Sequence, residues 1–407
     1  MNVILPQMDS LYSFASQYMR GRHPRLDSDE IYACAGEIKA ILDDVRPHYR
    51  KILIPKPNQE EMRTVFKVTS DLQLLQYFIK FRILDPLDRA YTSPYAFAYR
   101  RGYSARDNAS QHSGRKYMLK LDIRHFFEST RAGQIYSMFR KYTPYNKTIL
   151  GTLTRLVCFN GALCQGACTS PQIANLVLSD FDRTIGSYCK CIGVTYTRYC
   201  DDMTFSAYWP FNKVAVKDMV EDLLRPYHYK LNTAKTRFLG PGKRLEVTGA
   251  VINDRVHAKR EYRHKLRQEL YYACKYSVAE HLERTRPKWY HSPCTAEQVR
   301  HFIYSVQGRI NYIRMLDPED PFLEYAQDLF QVLHLSEVSA FSRNGHFRGS
   351  EPDEDLPDPL DIPDLFFTDL EEPPFDVMGD YFPGEEFFHP GDYPVPGPQD
   401  DPLFGSE

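Results

Sequence analysis

Residues 192–207 read IGVTYTRYCDDMTFSA. Two short runs rich in Val, Tyr, Thr and Phe flank Cys200-Asp201-Asp202. β-Branched and aromatic residues favour strands, and Asp is turn chemistry, so the stretch predicts two strands joined by a tight turn at 200–202. Taken alone, two Asp in a turn are most simply a solvated turn. A third strand is predicted upstream. In Tyr117–Ile123 (YMLKLDI), Tyr117, Leu119, Leu121 and Ile123 alternate with Met118, Lys120 and Asp122. Asp122 alone would cap or end that strand.

The two segments together carry more. If their strands lie side by side, Asp122, Asp201 and Asp202 converge at one sheet edge. Clustered like charges repel, and a hard divalent cation makes them tolerable. Mg2+ takes oxygen ligands, commonly a few carboxylates plus substrate phosphates. Two such ions about 4 Å apart can activate an attacking oxygen and stabilise a leaving one. Nucleotidyl transfer needs that arrangement.

Outward from this centre, the chain reads as mixed helix and strand. Asp29–Val45 has apolar residues at helical spacing (Ile31, Ala35, Ile38, Ile41, Leu42), with Pro47 as its predicted stop. Asp71–Ile83 reads as an amphipathic helix. Pro171–Ser179 (PQIANLVLS) reads as a helix with Pro in its first turn. Residues 214–225 are predicted helical. Residues 245–256 (LEVTGAVINDRV) suggest a hairpin turning near Asn253-Asp254. From Lys259 to about Met315 the pattern is helical and basic.

Composition narrows the partners. The 407 residues carry a net charge of −2, but the charge is unevenly placed. Residues 351–407 hold 18 Asp and Glu, 12 Pro and no Lys or Arg, which leaves 51 basic residues against 35 acidic ones in 1–350. A body with 16 surplus positive charges suits a polyanion such as nucleic acid. The acidic, Pro-rich segment cannot bury enough surface to offset its ordering entropy and is expected to be disordered. No run of 18 apolar residues suggests a membrane span. The start, MNVILPQMDS, lacks a basic and then apolar leader, so a cytoplasmic location is expected. Nine Cys form no disulfide or zinc framework: Cys189-Lys190-Cys191 is isolated, and Cys164 and Cys168 lack partners at ligand spacing.

Four ordered motifs then resemble one family. Lys120–Ser129 (KLDIRHFFES) is similar to the first palm motif of bacterial reverse transcriptases. Gln165–Asn175 (QGACTSPQIAN) resembles their Gln-Gly-X-X-X-Ser-Pro loop and helix. Tyr199–Asp202 resembles the Tyr-X-Asp-Asp box, and Asn232–Thr236 (NTAKT) the following lysine motif. The resemblance runs from about 50 to 315. Asn108–His112 (NASQH), Val247-Thr248-Gly249 and Gly308–Met315 (GRINYIRM) resemble elements of the retron type. Cys200 stands where Ala is commoner, and Cys164, Cys168 and the acidic tail are further departures.

The resemblance implies an α+β right-hand polymerase fold: an N-terminal helical region at 1–48, fingers and an antiparallel palm at 49–256, a helical thumb at 257–343, and a disordered tail at 344–407. It implies an RNA-directed DNA polymerase with two Mg2+ on Asp122, Asp201 and Asp202. It places Arg63, Lys67, Ile123, Phe127, Gln165, Gly166 and Lys235 around the incoming dNTP. Phe127 would exclude a 2′-OH; otherwise it packs beside Phe126. Lys235 would give a proton to pyrophosphate or hold its loop. Asn108, His112, Arg260, Arg263, Lys265 and Arg267 are candidates for RNA contact. The implied partners are a structured noncoding RNA as template and primer, the RNA–DNA hybrid product, and a separate effector protein in antiviral defence. Two alternatives stay open: another bacterial reverse transcriptase such as an abortive-infection enzyme, and a catalytically silent RNA-binding scaffold.

Overall fold

In the computed structural model, residues 3–20, 27–55 and 62–343 are described. The acidic segment 344–407, expected to be disordered, lies outside the described residues.

Two helices, α1 (Leu11–Arg20) and α2 (Ser28–Asp43), pack together. α2 stops at Asp43, and Pro47 sits in a separate 3-10 turn, Arg46–His48, instead of ending the helix. An antiparallel hairpin follows, β1 (Tyr49–Pro55) against β2 (Met62–Val68). The expected helix over 71–83 is divided: α3 (Ser70–Ile79) passes through a π-helical turn at Lys80–Leu84 into α4 (Asp85–Tyr91). The short α5 (Ala105–Ser110) leads to β3 (Tyr117–Asp122).

The central sheet has the order β4-β5-β3-β6, all neighbours antiparallel. β4 (Thr195–Tyr199) and β5 (Asp202–Ala207) are the predicted hairpin, and β6 (Arg237–Leu239) is an edge strand. Between β3 and β4 run five helices: α6 (Phe126–Ser129), α7 (Ala132–Tyr142), α8 (Lys147–Val157), α9 (Ser170–Val177) and α10 (Ser179–Cys191). α11 (Lys213–Leu224) follows β5.

β3 is buried on both faces, so the alternation in YMLKLDI is not a simple inside–outside pattern. Leu119, Leu121 and Ile123 join the larger apolar core with Phe205 and α7–α10. Met118 faces the other way, into a second core built from the C-terminal helices. These are α12 (Arg260–Tyr276), α13 (Val278–Thr285), α14 (Ala296–Leu316) and α15 (Phe322–Arg343). The sheet therefore rests between two apolar masses, which holds its strand ends in place.

β7 (Glu246–Val247) and β8 (Ala250–Val251) form the last hairpin. Its turn is Thr248-Gly249, both with positive φ (47° and 83°), not Asn253-Asp254. Two positive φ values in a two-residue turn match the right-handed strand twist. Asn253 serves elsewhere: its side chain accepts from the Leu245 amide (2.8 Å) and donates to the Lys243 carbonyl (2.9 Å).

Candidate active site

Register brings the carboxylates together. Asp122, the last residue of β3, is paired with Asp202, the first of β5. Asp201 lies in the turn between β4 and β5, beside Cys200 at φ 61°. That conformation disfavours most L-residues. The Ile123 amide donates to the Asp201 carbonyl (3.0 Å), so β3 holds the turn directly. Asp122 is buried, whereas Asp201 and Asp202 are half-buried. Burial raises the carboxyl of Asp201 to about 6, helped by the charges of Asp202 and Asp122. Asp202 is raised by burial, with Asp122 adding and Lys120 opposing.

Lys235, from a 3-10 turn at Thr233–Lys235, donates from Nζ to Asp122 Oδ2 at 2.7 Å. Burial opposes the charge on Lys235, but the Asp122 hydrogen bond and the charges of Asp122, Asp201 and Asp202 together outweigh it and raise its pKa. The Asn232 amide donates to the Asp122 carbonyl (2.8 Å), which anchors the lysine loop to the strand end. As the side chains stand, no three His, Cys, Asp or Glu among the described residues cluster closely enough to hold a metal ion. The donor set nevertheless suits a hard cation: all three groups offer oxygen, they repel one another, and an ammonium already neutralises one of them.

Strand β2 meets the loop before α9 at Gln165. The Phe66 amide of β2 donates to the Gln165 carbonyl (2.8 Å). Gly166 has φ 105°, and a Cβ there would lie well inside contact distance of the Phe66 carbonyl oxygen and 2.9 Å from Val65 Cγ1. Arg63 and Lys67 are exposed, four residues apart and hence on one face of β2. Phe127 packs partly on the core, its ring 5.3 Å from Phe126 and 6.4 Å from Tyr99. Tyr99 itself has φ 62°, is 48% exposed, and donates to Cys200 Sγ (3.2 Å). It borders the Cys200-Asp201-Asp202 turn, yet its sequence context, AFAYRRGY, gives no signal of that.

Arg198 is the other residue that sequence reasoning passes over. It lies in β4, three residues before Asp201, and is wholly buried. An Arg in a run of Thr and Tyr reads as a solvated strand cation, so only its position before the turn could have drawn attention.

Asn108 and His112 do not fit direct RNA contact. Both are buried, at 1% and 0% exposure. His112 bridges the hairpin from beneath: Nδ1 is 2.7 Å from Ser206 Oγ and Nε2 is 2.7 Å from Thr197 Oγ1. Thr248 Oγ1 donates to the Ala105 carbonyl of α5 (2.9 Å), and Gly249 lies against the Tyr312 hydroxyl of α14. The three retron-like elements thus meet where α5, the β7–β8 hairpin and α14 pack together. In the basic run of α12, Arg263 pairs with the buried Asp320 (2.8 Å), and Arg267 lies over the rings of Phe322 and Tyr325. Those two tie α12 to the start of α15, while Lys265 is exposed.

His112 predicts an acid limit on stability. Burial, reinforced by Arg115 and Lys120, lowers its pKa to about 3. The unfolded chain takes up that proton near 6.5, so the folded state binds fewer protons between these values. Stability is therefore full above about 6.5 and falls by about 1.4 kcal/mol per pH unit as pH drops towards 3. Urea denaturation at pH 7 and pH 5 should show a smaller difference for His112→Gln than for the wild type.

A sequence model of the family described as reverse transcriptase (RNA-dependent DNA polymerase) matches residues 54–261, half of the chain. The chain belongs to the reverse transcriptase family. Relatives give the type. Retron Ec86 reverse transcriptase of Escherichia coli is 32% identical over 238 residues, covering 58% of this chain and 73% of its own length. Retron Mx65 reverse transcriptase of Myxococcus xanthus is 29% identical over 249 residues, 56% of this chain and 52% of that one. Retron Se72 reverse transcriptase of Salmonella heidelberg is 25% identical over 244 residues, 58% and 63% respectively. The reverse transcriptase is of the bacterial retron type, an RNA-directed DNA polymerase on the right-hand α+β fold. Divalent-metal dependence is general in this family. Among the described residues no helix is long and apolar enough to cross a membrane.

Proposed function

We propose that this reverse transcriptase copies part of a structured noncoding RNA into single-stranded DNA, primed from a guanosine 2′-OH of that RNA. Asp122, Asp201 and Asp202 hold two Mg2+ ions in this reading. The observation that carries it is the Asp122–Asp202 register beside Asp201. When bound, the ions activate the attacking hydroxyl and stabilise the departing pyrophosphate.

The chain's own residues do the rest. Lys235 keeps Asp122 neutralised until the ions and dNTP arrive; its ammonium then stands ready to protonate the leaving group. Gln165 and Gly166 bring the fingers strand against the palm. Arg63 and Lys67 on β2 neutralise the triphosphate, and Ile123 and Phe127 border its sugar. Arg260 and Lys265 of α12 meet the RNA backbone, where charge dominates affinity. Asn108, His112, Arg263 and Arg267 support that surface from behind. The fingers and palm occupy 49–256 and the thumb 257–343. The RNA–DNA product serves antiviral defence with a separate effector protein, in the cytoplasm.

Extension of a DNA primer on an RNA template tests the polymerase, and Phe127 tests the sugar site. With Phe127→Ala, the use of ribonucleotides relative to dNTPs should rise by about tenfold or more, because a clash with the 2′-OH is relieved (about 1.4 kcal/mol or more). An unchanged ratio with full activity would show that Phe127 only packs beside Phe126.

A further inference from the structure

Arg198 and Asp182 form an ion pair with no exposed side-chain surface. The contact is bidentate: Nε to Oδ1 at 2.9 Å and Nη2 to Oδ2 at 2.6 Å. Taking both charges out of water costs more than such a pair usually returns, and apolar residues of similar volume often serve stability as well. A burial of this kind calls for a reason beyond stability.

The remaining contacts supply one. Arg198 Nη1 donates to the Cys200 carbonyl at 2.9 Å and to Asn175 Oδ1 at 3.1 Å. The Cys200 carbonyl belongs to the peptide that leads into Asp201, and Cys200 holds the unfavourable left-handed conformation. The following peptide is held by the Ile123 amide. Both peptides around Asp201 are thus pinned, one by β3 and one by a buried guanidinium. Asn175 also donates to the Ala98 carbonyl (2.8 Å), next to Tyr99. Backbone bonds from the Arg198 amide to Tyr95 and from the Phe97 amide to Arg198 join the same segment to β4 (2.8 and 2.9 Å). The side chain of Arg198 therefore connects α9, α10 and the catalytic turn, and its backbone joins residues 95–99 to the same point. Only a planar, five-donor group reaches Asp182, Asn175 and Cys200 together.

We infer that Arg198, held by Asp182 and Asn175, is a positioning residue that sets the Cys200–Asp201 peptide and so the Asp201 carboxylate for metal binding. The inference rests on the metal-dependent polymerase reading above. Lysine keeps the charge, but its three donors radiate from one nitrogen and cannot supply the four bonds that the guanidinium makes.

The test uses the full-length protein as wild type, as Arg198→Lys, and as the triple variant Arg198→Met, Asp182→Leu, Tyr196→Phe, which replaces the polar pair by apolar groups. Tyr196 is included because its hydroxyl donates to Asp182 (2.8 Å). Mn2+ affinity is read by water-proton relaxation without substrate, alongside kcat, dNTP KM, RNA affinity and Tm in chelator. Loss of an outer support for a metal ligand typically costs about 10- to 100-fold. Both variants should bind Mn2+ about tenfold more weakly and lose about tenfold or more in kcat, with KM and RNA affinity within about twofold of wild type. Wild-type Mn2+ affinity and kcat in either folded variant would overturn the inference. So would an activity loss that follows Tm with Mn2+ affinity unchanged, or failure of both variants to fold, which would make the pair a stability element. A wild type that neither binds Mn2+ nor extends primers would instead remove the polymerase reading itself.

Discussion

Asp201→Asn is expected to reduce dNTP incorporation by roughly a thousandfold or more, about 4 kcal/mol of transition-state stabilisation. RNA affinity should stay within about twofold, because the substitution leaves the basic surface intact and phosphate contacts dominate such binding. The same variant should make the metal-free protein more stable at pH 7.5. Asp201 titrates near 6 in the folded chain, because burial and the neighbouring Asp202 and Asp122 oppose its charge. An unfolded Asp ionises near 3.9, so the folded state binds more protons between these values and loses stability as pH rises through them. Asn removes that cost above pH 6 and leaves little difference below pH 4. A carboxylate that weakens its own fold and yet is needed for turnover is serving chemistry. Single-turnover incorporation and thermal melts in chelator at pH 4 and pH 7.5 measure both effects. Incorporation above a few per cent of wild type would remove Asp201 from the metal site.

Gly166→Ala is the second large effect. The residue sits at φ 105°, where only glycine is at ease, and an added Cβ would press on the Phe66 carbonyl and on Val65. The Phe66 amide is bonded to the adjacent Gln165 carbonyl, so the strand cannot retreat without breaking that bond. The fingers hairpin should swing away from the palm loop and take Arg63 and Lys67 with it. A displacement of about 1 Å at a substrate-binding wall can cost about 100-fold in rate. kcat/KM for dNTP should therefore fall by about two orders of magnitude, with RNA binding retained. Steady-state kinetics on an RNA template decides it; a change of less than about threefold would mean that the hairpin and loop do not act as one wall.

What the sequence reveals of this molecule follows from where its signals are local. Asp122 and Asp201-Asp202 are legible because the flanking strands mark where each carboxylate falls, and it is their conjunction, not an Asp in a turn or at a strand end alone, that points to a cation. The hairpin after residue 245 is legible, but its turn is not. Thr248-Gly249 and Asn253-Asp254 both carry turn chemistry, and only the register shows that Asn253 clamps Leu245 and Lys243 instead. Burial is a tertiary property, so Asn108 and His112 read as contacts when they lie beneath the sheet. Arg263 and Arg267 read as a nucleic-acid surface when Asp320, Phe322 and Tyr325 claim them. Arg198 hides for the same reason: Asp182 and Asn175, which claim its guanidinium, lie 16 and 23 residues upstream on two helices.

The retron reading makes one product that an ordinary primer-dependent polymerase does not. The full-length enzyme, expressed with the DNA that flanks its gene, should copurify with a structured RNA joined to single-stranded DNA. Sequencing of that nucleic acid before and after treatment with a 2′,5′-debranching enzyme is the direct measurement. The expected result is a DNA complementary to part of the RNA, released from it only by debranching, and absent from the Asp201→Asn preparation. Recovery of RNA alone from the wild type, or of DNA that matches no part of the bound RNA, would contradict it.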